Sequence, residues 1–180
     1  MAATHAALIR GINVGGNNKV PMAPLREALA SVGLADVRTY IQSGNVLVDA
    51  CERTAAEVTA LVGEVLRAEF GVETPVVTVT ADALRSAVVD APEGFGQDAA
   101  YRWDVIFLRE TLPAAQAHAV VQVREAVDAA WKGDAVLYFR RAEAQAGKSY
   151  LSRIVGTPEY KHMTIRNWRT TTTLASMLDA

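Results

Sequence analysis

Apolar residues recur along this chain with two periods, and the switches between them set the expected order of elements. His5 to Ile9 is a short apolar run of the kind a buried strand carries. Pro21 to Val32 places Met22, Leu25, Ala28, Leu29 and Val32 at helical spacing, with Gly33 positioned to end the helix. Asp36 to Ile41 and Asn45 to Val48 read as strands flanking Gln42-Ser43-Gly44, which is turn chemistry. Thr54 to Phe70 carries Val58, Leu61, Val62, Val65 and Leu66 on one helical face and stops at Gly71. Pro75 to Thr80 alternates β-branched residues and predicts a strand. The order is β-α-β-β-α-β, the split βαβ arrangement of ferredoxin-like folds.

The same order then repeats. Asp82 to Val89 predicts a connecting helix, and 91–100, with Pro92, Gly94 and Gly96, a loop. Strands are expected at Tyr101 to Leu108, Arg124 to Ala129 (whose composition equally allows helix), Ala135 to Arg140 and His162 to Ile165. Helices are expected at Pro113 to Val121, Lys148 to Val155 and Trp168 to Leu178, with Asn167 as N-cap of the last. Ile9-Arg10 corresponds to Leu108-Arg109 in the second pass, and Gly44 to Val48 corresponds loosely to Gly133 to Tyr138. The expected fold is therefore α+β: two ferredoxin-like halves, residues 1–80 and 101–180, related by internal duplication. They are joined by the helix and loop at 81–100 and closed by a C-terminal helix.

Bulk composition narrows the function classes. With 180 residues, 51% of them hydrophobic, the chain has a real core and no sign of disorder. A net charge of −2 argues against a generic polyanion binder. That total hides an asymmetry: Lys132 to Arg169 holds eight Lys/Arg against three Asp/Glu, while the rest of the chain is acidic. The single cysteine, Cys51, excludes a disulfide framework, and His5, His118 and His162 stand at no metal spacing, so no metal or cofactor is expected. No basic stretch leads into a long apolar run at the N-terminus, and no apolar segment reaches about 18 residues, so no membrane contact and a cytoplasmic location are expected.

Three segments carry candidate chemistry. Arg10-Gly-Ile-Asn-Val-Gly-Gly-Asn-Asn-Lys19 lies between a strand and a helix. Glycines and asparagines there free backbone N–H groups, and a helix N-terminus adds a positive dipole end, an arrangement suited to an anion. Its ligand candidates are Arg10, Asn13, Gly15, Gly16, Asn17 and Lys19. The spacing matches neither a Walker loop nor a dinucleotide fingerprint. The turn around Gln42 offers Ser43 and Asn45, with Arg38 able to reach the open sheet face. This hairpin is expected at the opposite end of the strands from the first loop. Arg166-Asn167-Trp168-Arg169 combines guanidinium forks with a stacking face at the start of a helix.

Several patterns are absent. There is no G-x-S-x-G elbow, and Gly147-Lys148-Ser149 lacks the glycine five positions upstream that a phosphate loop needs. Strand aromatics fit an RNA-binding sheet poorly, since the first half offers only Tyr40.

Arg10-Gly-Ile-Asn-Val-Gly-Gly, Val20-Pro-Met-Ala-Pro-Leu-Arg26, Val37-Arg-Thr-Tyr-Ile-Gln-Ser-Gly-Asn45 and Arg166-Asn-Trp-Arg-Thr170 together resemble the bacterial family catalogued as domain of unknown function 1697. The resemblance spans nearly the whole chain. It implies two ferredoxin-like halves and no assigned activity. Between Tyr138 and Lys148 the chain is Arg- and Ala-rich where the family implies a loop with more Gly and Pro, so no role is carried over onto Gly147 to Ser149.

The expected function is binding of an anionic or nucleotide-like ligand by the Gly/Asn loop and the Arg-Asn-Trp-Arg cluster. One alternative is an enzyme on a small phosphorylated or carboxylated substrate, with Arg10, Lys19 and Arg169 stabilising charge but no general base in any motif. The other is a homo-oligomeric partner-binding protein. Nucleic acid ranks behind a small anion as partner.

Overall fold

The computed structural model describes residues 3–16 and 18–178. Asn17, one of the candidate ligand residues, lies outside them. Two compact units divide the chain. One is Met1–Leu84 with Leu174–Ala180, and the other is Arg85–Thr173. Each carries a four-stranded, wholly antiparallel sheet.

In the first unit, β1 (His5–Ile9), α1 (Met22–Ser31), β2 (Ala35–Tyr40), β3 (Asn45–Asp49), α2 (Ala55–Phe70) and β4 (Val76–Thr80) follow one another, with spatial strand order β2-β3-β1-β4. β1 and β3 are buried at every position, which is why they read as continuous apolar runs rather than as alternation. Leu25 and Leu29 of α1 and Val58, Val62 and Leu66 of α2 pack with Ile9, Val46, Val48 and Val76, so both helices cover one sheet face.

The caps of α2 are written in its sequence. Thr54 Oγ1 accepts the N–H of Glu57 at 3.3 Å, and the Thr54 N–H donates to the Glu57 carboxylate at 2.7 Å, a reciprocal capping box. Gly71 closes the helix in the left-handed region at φ 63°. Thr54→Ala removes the side-chain half of this cap, and the expected loss is about 1 kcal/mol in denaturant unfolding, with m unchanged.

The second unit runs β5 (Tyr101–Leu108), α4 (Ala114–Val120), β6 (Asp128–Lys132), β7 (Val136–Ala142) and β8 (Met163–Asn167), with the corresponding order β6-β7-β5-β8. α3 (Ala81–Val89) and α5 (Trp168–Met177) are the remaining helices, and the division between the units falls within each of them. Asn167 caps α5 as expected, its Oδ1 accepting the Thr170 N–H at 2.7 Å.

Two expectations need correction. The helix predicted over Lys148 to Val155 is absent. The β7–β8 connection instead makes three short 3₁₀ segments, Glu143–Lys148, Leu151–Gly156 and Pro158–His162, broken by Ser149 and Thr157 in extended conformation. Gly147, Gly156 and Pro158 keep each stretch too short for an α-helical nucleus. The strand predicted over Arg124 to Ala129 is displaced to Asp128–Lys132, because Arg124 to Val127 form a turn closed by Val127 and Asp128 N–H bonds to the Arg124 carbonyl. The loop expected at 91–100 is present. Phe95 is buried within it, only 5% exposed, and belongs to the second unit.

Candidate functional site

The two motif groups lie in different units, and each builds its own surroundings. In the first unit the Gly/Asn loop is held by its own side chains. Asn13, at φ 56°, donates through Nδ2 to the carbonyls of Val20 and Gln42, both at 2.8 Å, and accepts the Val20 N–H at 2.8 Å. Asn18 Nδ2 donates to the Gly11 carbonyl at 3.2 Å. The contact to Gln42 overturns the expectation that loop and hairpin lie at opposite ends of the sheet. β1 runs antiparallel to β3, with Leu8 opposite Asn45, so the end of β1 meets the start of β3 and the turn before it. Ile9 N–H bonds to the Gly44 carbonyl at 2.8 Å, and a Cβ on Gly44 would stand 2.9 Å from Ile9 Cβ.

The helix start that follows this loop is thinned of N–H donors. α1 begins at Met22 after an N-cap Pro21 that makes no side-chain bond, and Pro24 removes one N–H from the first turn. Asn45 is fully buried, donating to the Tyr40 carbonyl and Ser43 hydroxyl at 3.1 and 3.2 Å. Arg38 donates to the carbonyl of Met177, the last residue of α5, at 2.7 Å, and its Nε lies 3.2 Å from Asp36. The Arg10 carbonyl accepts from the Thr74 hydroxyl, and Gly15, Gly16 and Lys19 are exposed.

The second unit holds an open cleft of about 670 Å³ at one end of its sheet. Its position follows from strand register. Residues directly opposite in antiparallel strands share a face. Arg102 lies opposite Arg141, Asp104 opposite both Phe139 and Asn167, and Ile106 opposite Leu137 and Ile165. One sheet face thus changes character along its length. Ile106, Leu137 and Phe139 pack under Ala117, Leu151 and Ile154, whereas Arg102, Asp104, Arg141 and Asn167 extend beyond that cover. In the first unit the sixteen-residue α2 lies between the third and fourth strands. The corresponding connection here is the 3₁₀ chain, and it leaves this end open. β8 also stops, its last pair being Asp104–Asn167, while β5 continues to Tyr101 with β7 alone.

The cleft wall is aromatic and cationic. Trp103 and Trp168 line it, both set edge-on to Phe95 at centroid distances of 4.8 and 5.1 Å. Gly96, at φ 82°, lies against the Trp168 indole so closely that a Cβ there would stand 2.1 Å from its Cδ1 and Nε1. Arg169 lines the cleft, exposed, and among the described residues its guanidinium makes no hydrogen bond or ion pair. Arg102 is held by Glu143 in a bidentate pair at 2.5 and 2.6 Å, which raises its pKa and lowers that of Glu143. Asp104 is 5% exposed. Burial pushes its carboxyl above the usual range, opposed by the Arg141 charge 3.1 Å from Oδ2. Oδ2 is itself closed off from solvent, so the Arg141 guanidinium is its charged neighbour. Three arginines against Asp104 and Glu143 leave one net positive charge around the cleft.

Of the predicted cluster, Asn167, Trp168 and Arg169 reach this cleft. Arg166 does not. It is nearly buried, donates to the Thr164 hydroxyl and Ile165 carbonyl at 2.9 Å, and has its pKa drawn down to about 10 by burial. Sequence reasoning missed Arg102, Trp103, Asp104 and Arg141. The available signal was the i, i+2 placement of Arg102 and Asp104 in an otherwise apolar strand. Among the described residues no group of three His, Cys, Asp or Glu converges to hold a metal, and no helix is long and apolar enough to cross a membrane.

The family model described as protein of unknown function (DUF1697) matches residues 2–138. No curated protein matches the chain. A solved structure, that of the conserved bacterial protein SP0830 from Streptococcus pneumoniae, is similar over 99% of this chain and 99% of its own, at 28% identity and a TM-score of 0.81.

Proposed function

The chain belongs to the DUF1697 family of proteins of unknown function, and from that premise we propose that it binds a small anionic, nucleotide-like ligand in the cleft of the second unit. The observation that carries this reading is the convergence of Arg169, Arg102 and Arg141 with the Trp103 and Trp168 indoles around one opening. Guanidinium groups suit phosphate or carboxylate, and an indole face suits a flat ring. A volume of about 670 Å³ falls within the range of small-molecule sites. In the Gly/Asn loop, by contrast, Asn13 and Asn18 are spent on the backbone carbonyls of Val20, Gln42 and Gly11, which supports a framework role for it.

The test is calorimetry at low salt with inorganic phosphate and the four common nucleoside monophosphates. At least one nucleotide should bind, more weakly as salt rises, and Arg169→Ala should weaken it about tenfold, the worth of one charge-assisted hydrogen bond. A silent panel, or full affinity in a folded Arg169→Ala protein, would sink the reading.

A second reading, an enzyme on a small phosphorylated or carboxylated substrate, draws on Asp104. A buried carboxyl with a raised pKa beside a cation in a cleft is the arrangement acid–base catalysis uses. Turnover of any bound nucleotide, lost in Asp104→Asn, would favour it. We further propose that each unit is a ferredoxin-like half and that the halves arose by duplication. The matching strand orders support this. So does the shared bond from the residue after the first strand to the residue before the fourth: Arg10 N–H to the Pro75 carbonyl, and Arg109 N–H to the His162 carbonyl.

A further inference from the structure

We propose that the second unit binds single-stranded nucleic acid, and that the cleft holds one nucleotide of a strand laid across the open end of the sheet. The inference rests on the nucleotide reading above and names its ligand class. Its ground is a basic and aromatic row that strand register assembles. Asp128 on β6, Arg141 on β7 and Arg102 on β5 lie directly opposite one another, so they share a face and cross three neighbouring strands in line. Those strands together span about 10 Å. The row lies outside the apolar cover that Leu151 and Ile154 give the rest of this face.

The cleft, with Arg169 and two indoles, occupies the β5 end of the row. A second cationic and aromatic group occupies the β6 end. Asp128 Oδ2 accepts the N–H of Arg124 at 2.9 Å and that of Tyr150 at 2.8 Å, which ties both residues to the sheet. The Arg153 guanidinium carbon lies 3.3 Å from the centre of the Tyr150 ring, a stacking distance, and that of Arg124 lies 5.8 Å from it. Both arginines are exposed, and each is steadied by an uncharged acceptor. Arg153 donates to Gln122 Oε1 at 2.7 Å, and Arg124 donates to the Lys148 carbonyl at 3.4 Å. Among the described residues neither guanidinium has a carboxylate partner. Two like charges on one ring repel each other, and an anion beside them relieves that cost. A chain whose net charge is −2 thus gathers uncompensated positive charge beside its aromatic rings.

Chemistry then selects the ligand. A mononucleotide seated on the indoles gives its single phosphate to Arg169 and leaves Arg124 and Arg153, two strands away, unused. A chain of phosphates engages both ends of the row. A duplex carries the same phosphates but hides its base faces within the stack. The indoles and the Arg153–Tyr150 pair offer flat surfaces to unpaired bases. An acidic peptide would match the charges and leave those ring faces idle.

The experiment is fluorescence anisotropy of labelled uridylate and thymidylate octamers on the full chain, with uridine monophosphate and a DNA hairpin as competitors. The octamers should bind at least roughly tenfold more tightly than uridine monophosphate, and the hairpin should compete at least roughly tenfold more weakly than either octamer. The ratio of the two octamers distinguishes RNA from DNA as the strand. Arg153→Ala should weaken octamer binding about tenfold, the lower end of what one stacked base contributes, and leave the mononucleotide unchanged. Arg169→Ala should weaken both. Octamers that bind no more tightly than the mononucleotide, or that ignore Arg153→Ala, would overturn the strand and leave the nucleotide reading standing. A hairpin that competes as well as the octamers would overturn it too. No binding by any probe would remove both readings. If Arg153→Ala fails to fold, Arg124→Ala, which keeps the backbone N–H to Asp128, is read in the same way.

Discussion

Phe95→Ala should cost about 3–5 kcal/mol, a fall in Tm of roughly 6–20 °C. Phe95 stands in a loop, but its ring is the hub of an aromatic cluster. Trp103, Trp131, Tyr138 and Trp168 surround it at centroid distances of 4.8 to 6.1 Å, all steeply inclined. Edge-to-face pairs of this kind each add about 0.5–1.5 kcal/mol beyond area burial. The loop is shaped to deliver the ring: Gly94 and Gly96 on either side take φ of 73° and 82°, and the Phe95 N–H closes onto the Pro92 carbonyl at 2.9 Å. Truncation leaves a void that four large rings cannot collapse into. Tryptophan fluorescence during denaturant unfolding reads the effect directly. A loss below about 1 kcal/mol would mean that the rings are not a packed unit. Trp103 and Trp168 belong to this cluster and line the cleft, so the same variant should weaken the proposed nucleotide binding while still folded.

Asn13→Ala should cost about 2–4 kcal/mol. Three side-chain hydrogen bonds disappear, each worth about 1 kcal/mol, and a residue at φ 56° loses the side chain that tolerates that backbone. Asn13→Gly separates the two contributions. It removes the same bonds but relaxes the backbone, and should be the milder variant by about 1 kcal/mol. Denaturant titration of the pair is the check. Equal stabilities for Asn13→Ala and wild type would show that water replaces all three bonds.

The contrast between these residues shows what the chain reveals when read linearly. α1, α2 and the strands of the first unit lie within a residue or two of expectation, because Leu25–Leu29 and Val58–Val62–Leu66 declare their period locally. Gly71 and Asn167 declare the helix ends in the same way. The cleft is different. Arg102 and Arg141 become neighbours only through strand pairing, and Asp104 meets Asn167 by the same route. No window along the chain contains both members of either pair. The Gly/Asn loop shows the opposite case. Its composition suits a cradle for anions, but Asn13 and Asn18 bond the backbone carbonyls of Val20, Gln42 and Gly11, and Pro24 thins out the N–H groups that an anion would need. The 3₁₀ chain reads as helix along the sequence because Leu151 and Ile154, at i and i+3, fit both a helix and a 3₁₀ turn, while Val155 at i+4 is exposed.

That 3₁₀ chain has a consequence for how the second unit breathes. Without a long helix above them, the Tyr101 end of β5 and the Ala142 end of β7 lie beyond the cover of Leu151 and Ile154, and their amides should open at lower free energy than those beneath it. A molecule seated over Arg102 and Asp104 would serve as the lid that the polypeptide leaves off. Amide exchange at the ends of two strands then becomes a gauge of occupancy, slowed in proportion to ligand, on a protein whose distant helices keep their own pace.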